Sequence, residues 1–349
     1  MLTVVFATKD RAHQLELVLN QFRRLVSPRG GWKLVIVDNK SSDATRSVLD
    51  QFSTCLPLEI LVEPRPGKNR ALNRALGALA GDLAVITDDD VLPDPDWLVR
   101  LREAADRHPT ISLFGGTILP EWPAPLPPWL DEQSASFGIL FAILRRPSGP
   151  CGFDSIFGPN MAVRTEVFRQ GNRFDEAIGP DATNPVAPMG SEWEFNRRLC
   201  RNGHRARFVA EARVRHIIRP EQFEERWILN RAYRNGFGVA KTSPPALALG
   251  DPRLLGLAWR LLLRRAGLAA AAAAIRPLPP SRWRMRLLFK ERWFAGLAHG
   301  MARGSTRPAR RTKRPRPAPS PALPMPVRVA AQPDLALRRY ERDSGGTAA

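Results

Sequence analysis

The stretch Val85-Ile86-Thr87-Asp88-Asp89-Asp90 joins the end of a compact apolar run to three consecutive carboxylates. The run, residues 83–86, has the length and composition of a buried strand. Three carboxylates at a strand end repel one another unless a cation or solvent offsets their charge. Hard divalent ions take oxygen ligands, commonly one or two carboxylates together with phosphate oxygens. The stretch therefore predicts either a metal-assisted phosphate site or a solvated acidic turn before a helix capped by Asp94.

Strand-like and helix-like segments alternate before this stretch. Apolar runs at residues 2–7, 33–37 and 58–62 are separated by segments in which apolar residues recur at helical spacing. Strands that alternate with helices of ten or more residues predict βαβ units and a parallel sheet. The predicted fold class is α/β, a Rossmann-like and mostly parallel sheet flanked by helices.

The chain after the acidic triplet is less regular. Residues 111–119 are expected to form a strand that is interrupted by Gly115 and Gly116. Residues 121–150, rich in proline and tryptophan, predict either a flap over the site or an ordinary packed surface loop. Residues 207–210 and 213–217 predict a strand pair or one bent strand, and a helix is expected from about residue 220 to 241.

The net charge of +19 is unevenly distributed along the 349 residues. Residues 1–250 carry 32 Lys and Arg against 29 Asp and Glu, whereas residues 251–300 carry 10 against 2 and residues 301–349 carry 11 against 3. The basic excess therefore lies in the last hundred residues. Such a region suits an anionic membrane surface or a nucleic acid.

The composition of the chain predicts three parts, two of which lie in the last hundred or so residues. We expect a catalytic domain over residues 1–245, a basic amphipathic helical segment over 246–303, and a disordered tail rich in proline and arginine over 304–349. The helical segment predicts binding in a membrane interface or packing on the main domain. Three widely spaced cysteines favour a reducing compartment, and a peripheral location on the cytoplasmic face of a membrane is expected.

Polar clusters follow several of the predicted strands. They are residues 8–11, Asp38 with Asn39, Gly67 with Lys68, and the acidic triplet. Because the carboxyl ends of parallel strands converge, this arrangement predicts a site for a nucleotide with a metal-bound diphosphate. In that site Asp38 would accept hydrogen bonds from a base, and Lys68 or Arg70 would meet phosphate.

Six segments give the chain a recognisable pattern: VVFATKDR, LVIVDNKSSDAT, PRPGKNRALNRAL, VITDDDVLPDPDWL, GPNMAVRTEVF and GSEWEFNRRLCRNGHRARFVAEARVRH. With them, residues 1–240 resemble a family 2 glycosyltransferase with the GT-A fold. The resemblance implies transfer of a sugar from a nucleoside diphosphate donor to an acceptor hydroxyl, usually with inversion. It also implies Mn²⁺ or Mg²⁺ as cofactor and a UDP-sugar as the commonest donor. The basic amphipathic segments suggest a glycan or lipid-linked acceptor at a membrane, in cell-surface polysaccharide or glycolipid synthesis.

The resemblance also implies roles for single residues. Glu192 takes the position of the catalytic base, and Asn160 and Glu194 lie at the sugar and acceptor pocket. His216, which as a lone histidine beside a strand is otherwise structural, joins Asp88 and Asp90 as a metal ligand. The residues expected to bind the donor are Thr8, Arg11, Asp38, Lys68, Arg70, Asp88 and Asp89.

Two departures from the family pattern bear on these roles. The family's helix usually opens Gly-Glu-Asp, with the aspartate as base, whereas this chain has Gly190-Ser191-Glu192-Trp193. Ser191 and Glu194 also have capping-box spacing, which gives Glu194 a structural alternative. The phosphate-side motif commonly has arginine before its asparagine, but here Leu72 precedes Asn73.

Two other functions fit parts of the sequence. A nucleotidyltransferase would use a similar fold and acidic metal site. A non-catalytic protein that binds a membrane or a nucleic acid through the basic C-terminus is the second alternative. The acidic triplet and the carboxylate at position 192 argue against it, and a nucleic acid is not expected as a partner.

Overall fold

A computed structural model describes residues 1–130, 135–181, 184, 186–242 and 266–302. Within them, nine strands form one sheet in the order β3-β2-β1-β4-β8-β6-β9-β5, and β7 pairs with β9. The strands are β1 (Leu2–Thr8), β2 (Trp32–Asp38), β3 (Leu58–Val62), β4 (Leu83–Ile86), β5 (Val91–Pro93), β6 (Leu113–Glu121), β7 (Gly149–Cys151), β8 (Met161–Arg164) and β9 (Ala206–Ile217).

Helices cover both faces of the sheet. The first seven are α1 (Ala12–Phe22), α2 (Thr45–Phe52), α3 (Lys68–Ala75), α4 (Trp97–Arg107), α5 (Ala135–Phe141), α6 (Thr165–Arg169) and α7 (Ser191–Arg201). The last three are α8 (Glu225–Thr242), α9, which is described over residues 266–275, and α10 (Arg282–Ala302).

The central strands are mostly apolar because both of their faces are covered. Val4 and Phe6 of β1 point into one core cluster with α1, α2 and α4, while Val5 points into a second cluster with α3, α6 and α7. Alternate residues of a strand face opposite sides of the sheet, so strands buried on both faces carry few polar residues, which in β1 are Thr3 and Thr8. Each such buried side chain contributes roughly 1.5–3 kcal/mol to folding.

The longest strand pairings are parallel, as predicted. β3, β2, β1 and β4 run in the same direction, and β6 lies parallel to β9. β8 is antiparallel to both β4 and β6, which joins the two parallel groups. The bent strand expected near residues 207–217 is one strand, β9, with a shift of register opposite the Gly116–Thr117 step of β6.

The short strand β5 was not expected from the sequence. Its three residues directly follow the acidic triplet and pair antiparallel with β9, so that Val91 lies opposite His216. The helix α4 consequently begins later than predicted, at Trp97, and Asp96 rather than Asp94 precedes its first residue.

A third apolar cluster joins the region after β6 to the C-terminal helices. Phe137 and Phe141 of α5 pack with Ile228 of α8 and with Leu288 and Phe289 of α10. The described part of residues 121–150 is therefore packed against α8 and α10, as in the alternative of a packed surface loop, and is not an open flap. Residues 131–134 lie outside the described part.

The helix α10 lies along α8 at close range. A Cβ on Gly236 would come within 2.0 Å of Trp293 O, and one on Gly296 within 1.9 Å of Tyr233 O, so only glycine fits at both crossings. Arg284 also binds Glu225, with Nη1 2.6 Å from Oε2. The alternative that the basic helices pack on the main domain thus holds for α10. The predicted boundary at residue 245 and the tail at 304–349 fall outside the described residues.

Candidate functional site

The carboxyl ends of the parallel strands bring the predicted polar residues together. Thr8 of β1 lies opposite Asp38 of β2, and Val5 lies opposite Ile86, the last residue of β4. Thr87 directly follows Ile86 and is buried, and its hydroxyl donates to Pro159 O at 2.8 Å. The triplet 88–90 therefore emerges beside Thr8 and Asp38, as the sequence predicts.

Each carboxylate of the triplet has a different neighbour. Lys68 Nζ lies 2.5 Å from Asp88 Oδ1, and the Thr8 hydroxyl donates to Asp89 Oδ2 at 2.8 Å. His216 Nε2 lies 3.4 Å from Asp90 Oδ1. Burial and the nearby Asp90 raise the pKa of Asp89 to about 7. The triplet is thus a cluster held by one lysine, one hydroxyl and one histidine, and not a solvated acidic turn.

Glu192 belongs to the same cluster through Lys68. Its Oε1 lies 3.3 Å from Lys68 Nζ, so one ammonium group bridges Asp88 and Glu192. Burial alone would raise the pKa of Glu192, but Lys68 outweighs it and holds that pKa below its usual value. The carboxylate predicted as the base is therefore ionised and fixed.

The start of α3 positions Lys68. The side chain of Asn39 donates to Glu63 O and Arg65 O, both at 2.7 Å, and accepts from Gly67 N at 3.0 Å. These bonds fix the turn before the helix, where Gly67 has a φ of 127° that L-residues rarely adopt. Lys68 N also donates to Pro180 O at 3.0 Å. Asn39 is therefore a positioning residue of the cluster.

Asp90 and His216 meet because β5 pairs with β9. Nδ1 of His216 donates to Phe141 O at 2.7 Å, which leaves Nε2 directed at Asp90. Burial would raise the pKa of Asp90, but the field of His216, with Lys68 and Arg219, lowers it to about 2. Asp90 Oδ1 is also buried and makes no hydrogen bond of ordinary geometry.

Asp90 and His216 fit a divalent ion whose remaining ligands are oxygens of the substrate. Within the described residues, no group of three His, Cys, Asp or Glu side chains is close enough to hold an ion unaided. Asp90 offers an unshared oxygen and His216 a ring nitrogen, which suits Mn²⁺ or Mg²⁺ held by few protein ligands and by phosphate oxygens. Asp88, predicted as a further ligand, forms an ion pair with Lys68 through Oδ1, and its role as a metal ligand stays a prediction.

Three residues predicted to bind the donor make the hydrogen bonds and ion pairs that the structure describes with groups other than the triplet's carboxylates. Asp38 Oδ1 accepts from Ser41 N at 2.9 Å at the end of β2. Arg11 Nη1 donates to Gln14 Oε1 at 3.3 Å, next to Asp89 O. Arg70 turns to Pro66 O and to Glu176, at 2.9 and 3.4 Å.

Asn160 occupies an internal position and not a pocket wall. It has no exposed surface, and its Nδ2 donates to Thr117 O and Ala212 O at 3.0 and 2.9 Å. Its Oδ1 accepts from Trp97 Nε1 at 2.9 Å. These internal bonds use the whole amide, so the expectation that Asn160 lines the sugar pocket is corrected to a structural role.

The capping box predicted at the start of α7 is absent. The residue before the helix is Gly190, with a φ of 101°, so Ser191 is already helical and its side chain caps nothing. Glu194 instead binds Arg198 one turn along the helix, with Oε1 3.0 Å from Nε. Glu194 thus forms an ion pair along the helix, and its predicted place at the acceptor pocket stays a prediction.

Sequence reasoning missed the glycine that makes room for Glu192. A Cβ on Gly158 would lie 2.3 Å from Glu192 Oε1, closer than atoms approach without a shift. The backbone of Gly158 does not have a positive φ. Only the missing side chain matters at this position, and the sequence offered no signal for it because Glu192 is 34 residues away.

Comparisons with known proteins agree with this geometry. Residues 3–171 match the model of a family described as Glycosyl transferase family 2. A glucosyl-dolichyl phosphate glucuronosyltransferase of Haloferax volcanii is 26% identical over 212 residues, which are 59% of this chain and 65% of that relative. The match thus spans slightly less than two thirds of that relative's length.

A second relative and a solved structure extend the match. Glycosyltransferase AglE of the same organism is 30% identical over 238 residues, covering 68% of this chain and 72% of the relative. The mannosyltransferase PcManGT from Pyrobaculum calidifontis, solved in complex with GDP-Man and Mn²⁺, covers 86% of both chains with a TM-score of 0.55 and 21% identity. That likeness confirms the predicted GT-A fold. With the carboxylate cluster at the strand ends and the extent of these matches, the chain belongs to glycosyl transferase family 2.

Proposed function

We propose that the chain transfers a sugar from a nucleoside diphosphate donor to an acceptor hydroxyl, with inversion at the anomeric carbon. The observation that carries this proposal is the bridge through Lys68, which joins Asp88 at the end of β4 to Glu192 at the start of α7. It puts an ionised carboxylate next to the strand ends where a nucleotide would bind. Membership of the family supports a nucleotide sugar as donor.

The proposed reaction uses Glu192 as general base. Its carboxylate takes the proton of the acceptor hydroxyl while that oxygen forms a bond to the anomeric carbon. The bond from the anomeric carbon to the phosphate oxygen breaks, and its electron pair leaves with the nucleoside diphosphate. A well-placed base of this kind accelerates the reaction roughly 10²–10⁴-fold.

The other residues of the cluster serve the donor in this proposal. Asp38 contacts the base, and Thr8 and Lys68 fix the carboxylates that surround the diphosphate. Asp90 and His216 would hold Mn²⁺ or Mg²⁺, whose chemistry is to offset the charge that grows on the leaving diphosphate. The neighbour solved with GDP-Man and Mn²⁺ supports this choice of ion for a first test.

We propose further that the acceptor is lipid-linked and is met at an anionic membrane surface, on the cytoplasmic face. Trp283 is 55% exposed and Leu278 44% exposed, and Arg282 and Arg286 are exposed beside them. The described part of α9 contains no charged residue, and most of its alanines are exposed. Arginines around exposed apolar residues favour an anionic membrane interface. The glucuronosyltransferase relative, named for a glucosyl-dolichyl phosphate, points to the same acceptor class.

Among the described helices, none is both long enough and apolar enough to cross a membrane.

The direct test is donor cleavage by the full chain. UDP-glucose, UDP-GlcNAc, UDP-glucuronate and GDP-mannose are incubated with the protein and Mn²⁺, and the released nucleotide is identified by mass spectrometry. We expect nucleoside diphosphate from one of these donors, and loss of that release in Glu192→Gln. Release of pyrophosphate from a nucleoside triphosphate would instead identify a nucleotidyltransferase. Absence of cleavage and of nucleotide binding would leave only the non-catalytic alternative.

A further inference from the structure

One arginine next to the acidic cluster has no partner in the described part of the chain. Arg231 of α8 is half-buried, and its Nε is sealed from solvent without a hydrogen bond. No carboxylate of the described residues lies within ion-pair distance of its guanidinium. The contact it does make is with the ring of Trp227, whose centroid is 5.3 Å from Cζ.

The neighbours of Arg231 on α8 show where it lies. Trp227, Arg231 and Arg234 are spaced by four and three residues and therefore share one face of the helix. Trp227 stacks on Phe141 with ring centroids 6.0 Å apart, and the carbonyl of Phe141 accepts the hydrogen bond of His216. The first residue of this face thus lies against the end of the cluster that holds Asp90.

The last residue of the same face lies against the other end of the cluster. Arg234 Nε donates to Ala187 O at 2.9 Å, and Arg234 O accepts from Met189 N at 3.1 Å. Those residues lead directly into the helix that carries Glu192. Arg231 therefore lies between the His216 end and the Glu192 end of the site.

The electrostatic setting agrees with this position. Burial and, to a lesser extent, Arg234 lower the pKa of Arg231 to about 10, although Asp90, Glu192 and Asp88 act in the opposite direction. The guanidinium is still charged at neutral pH. A buried charge without a partner destabilises a protein, and such groups concentrate at sites where a ligand supplies the partner.

We propose that Arg231 binds phosphate oxygens of a substrate between the His216 and Glu192 ends of the site. The planar guanidinium presents paired donors that match phosphate geometry, and Trp227 below it restricts its orientation. The proposal rests on the proposed function, because the phosphate belongs either to the donor's diphosphate or to a phosphate-bearing acceptor. Both sources share this chemistry, and the experiment separates them.

The experiment compares the full-length wild type with Arg231→Gln, Arg231→Lys and the matched control Arg226→Gln, whose side chain is exposed on the same helix. UDP and GDP are titrated by calorimetry with Mn²⁺ present. Inorganic phosphate is then titrated into the protein saturated with the nucleotide that binds. Melting temperatures of the ligand-free proteins are recorded in parallel.

Two results support the proposal and assign the source. If Arg231→Gln weakens nucleoside diphosphate binding at least about tenfold, Arg231 contacts the donor's diphosphate. If nucleotide binding is unchanged but binding of inorganic phosphate to the loaded protein is lost, Arg231 serves an acceptor phosphate. In either case Arg231→Lys retains part of the binding, Arg226→Gln retains all of it, and the melting temperature of Arg231→Gln is unchanged or raised.

Two results would overturn it. Equal binding of nucleotide and of phosphate by Arg231→Gln and the wild type would exclude an anion-binding role. A melting temperature several degrees lower in the ligand-free Arg231→Gln variant would show a structural role instead. If the wild type binds no nucleotide, the proposed function fails, while the titration of phosphate into the ligand-free proteins still decides the role of Arg231.

Discussion

Lys68 and Arg231 are two half-buried cations beside the same carboxylates, and the protein holds them in opposite ways. Lys68 bridges Asp88 and Glu192, and the turn before it is fixed by Asn39. Arg231 has an aromatic ring beneath it and a buried Nε without a hydrogen bond. The α3 side of the site is therefore complete without substrate, whereas the α8 side has a charge that a ligand would satisfy.

The difference separates residues that are fixed before substrate binds from a residue that is left to bind it. Burial alone would lower the pKa of Lys68, but Asp88 and Glu192 raise it above its usual range, so the bridge is an ion pair in the ligand-free protein. A fixed ion pair orients the base before substrate arrives. On the opposite side Arg231, which has no ion-pair partner among the described residues, would gain one from the phosphate of a bound substrate.

The largest expected effect is on the base. Glu192→Gln removes the proton acceptor but keeps the shape of the side chain, so kcat should fall about 10²–10⁴-fold while nucleotide binding changes little. Steady-state kinetics and calorimetry on the same preparation measure both quantities. Near-wild-type turnover in this variant would remove Glu192 from the mechanism and with it the functional meaning of the Lys68 bridge.

The ion pairs of Lys68 with Asp88 and Glu192 lead to a prediction about stability that separates Lys68 from Arg231. Lys68→Met leaves Asp88 and Glu192 buried without a counter-charge, and the free energy of unfolding should fall by about 3 kcal/mol. Urea unfolding measures this, and Arg231→Gln is the matched control because it removes a cation that has no such pair. Equal stability of the two variants would mean that the two cations are not held differently.

The space at Gly158 predicts a loss of rate without a loss of fold. Gly158→Ala places a methyl group where Glu192 Oε1 lies, and the flexible carboxylate must move aside. A displacement near 1 Å costs about 10²-fold in kcat, while the melting temperature stays close to that of the wild type. Gly77→Ala is the control, since a Cβ there meets nothing within 4 Å. An active Gly158→Ala variant would show that the carboxylate position is not critical.

The smallest expected effect concerns the exposed face of α10. Trp283→Ser should weaken binding to vesicles of phosphatidylglycerol and phosphatidylcholine roughly tenfold in a sedimentation assay, because an exposed indole is lost from the interface. Leu17→Ser removes an equally exposed apolar side chain from α1 and should bind as the wild type does. If the full chain ignores the vesicles, or if both variants lose binding equally, this face does not contact a membrane.

The α3 side of the site was predictable because its chemistry follows regular elements. An apolar run that ends on three aspartates, and two more strands that end on Thr8 and Asp38, place these groups together once the sheet is parallel. The same regularity gave the strand bounds at residues 58–62 and 83–86 without error. Glu192 was found through the family resemblance, and its contact with Lys68 gives that assignment a physical basis.

The α8 side was not predictable from periodicity because it depends on packing between distant segments. Only the family resemblance predicted that His216 would lie with Asp90. The strand β5 has three residues and contains Pro93, so no periodicity announces it, yet it sets His216 against Asp90. Phe141 and Trp227 are 86 residues apart in the sequence and meet in the third apolar cluster, and Arg231 lies against Trp227 one turn further along α8. Asn160 was misassigned because a motif position does not show whether a side chain is buried.

The central claim is that Asp90, His216 and the strand ends form a donor site that uses a divalent ion. Thermal shifts with UDP, GDP, dTDP and CDP, each with and without Mn²⁺, test it most directly. We predict that one nucleotide stabilises the wild type only when Mn²⁺ is present. That stabilisation should vanish in Asp90→Ala and persist in the exposed-site control Asp50→Ala. No shift with any nucleotide, or an equal shift in Asp90→Ala, would contradict the claim.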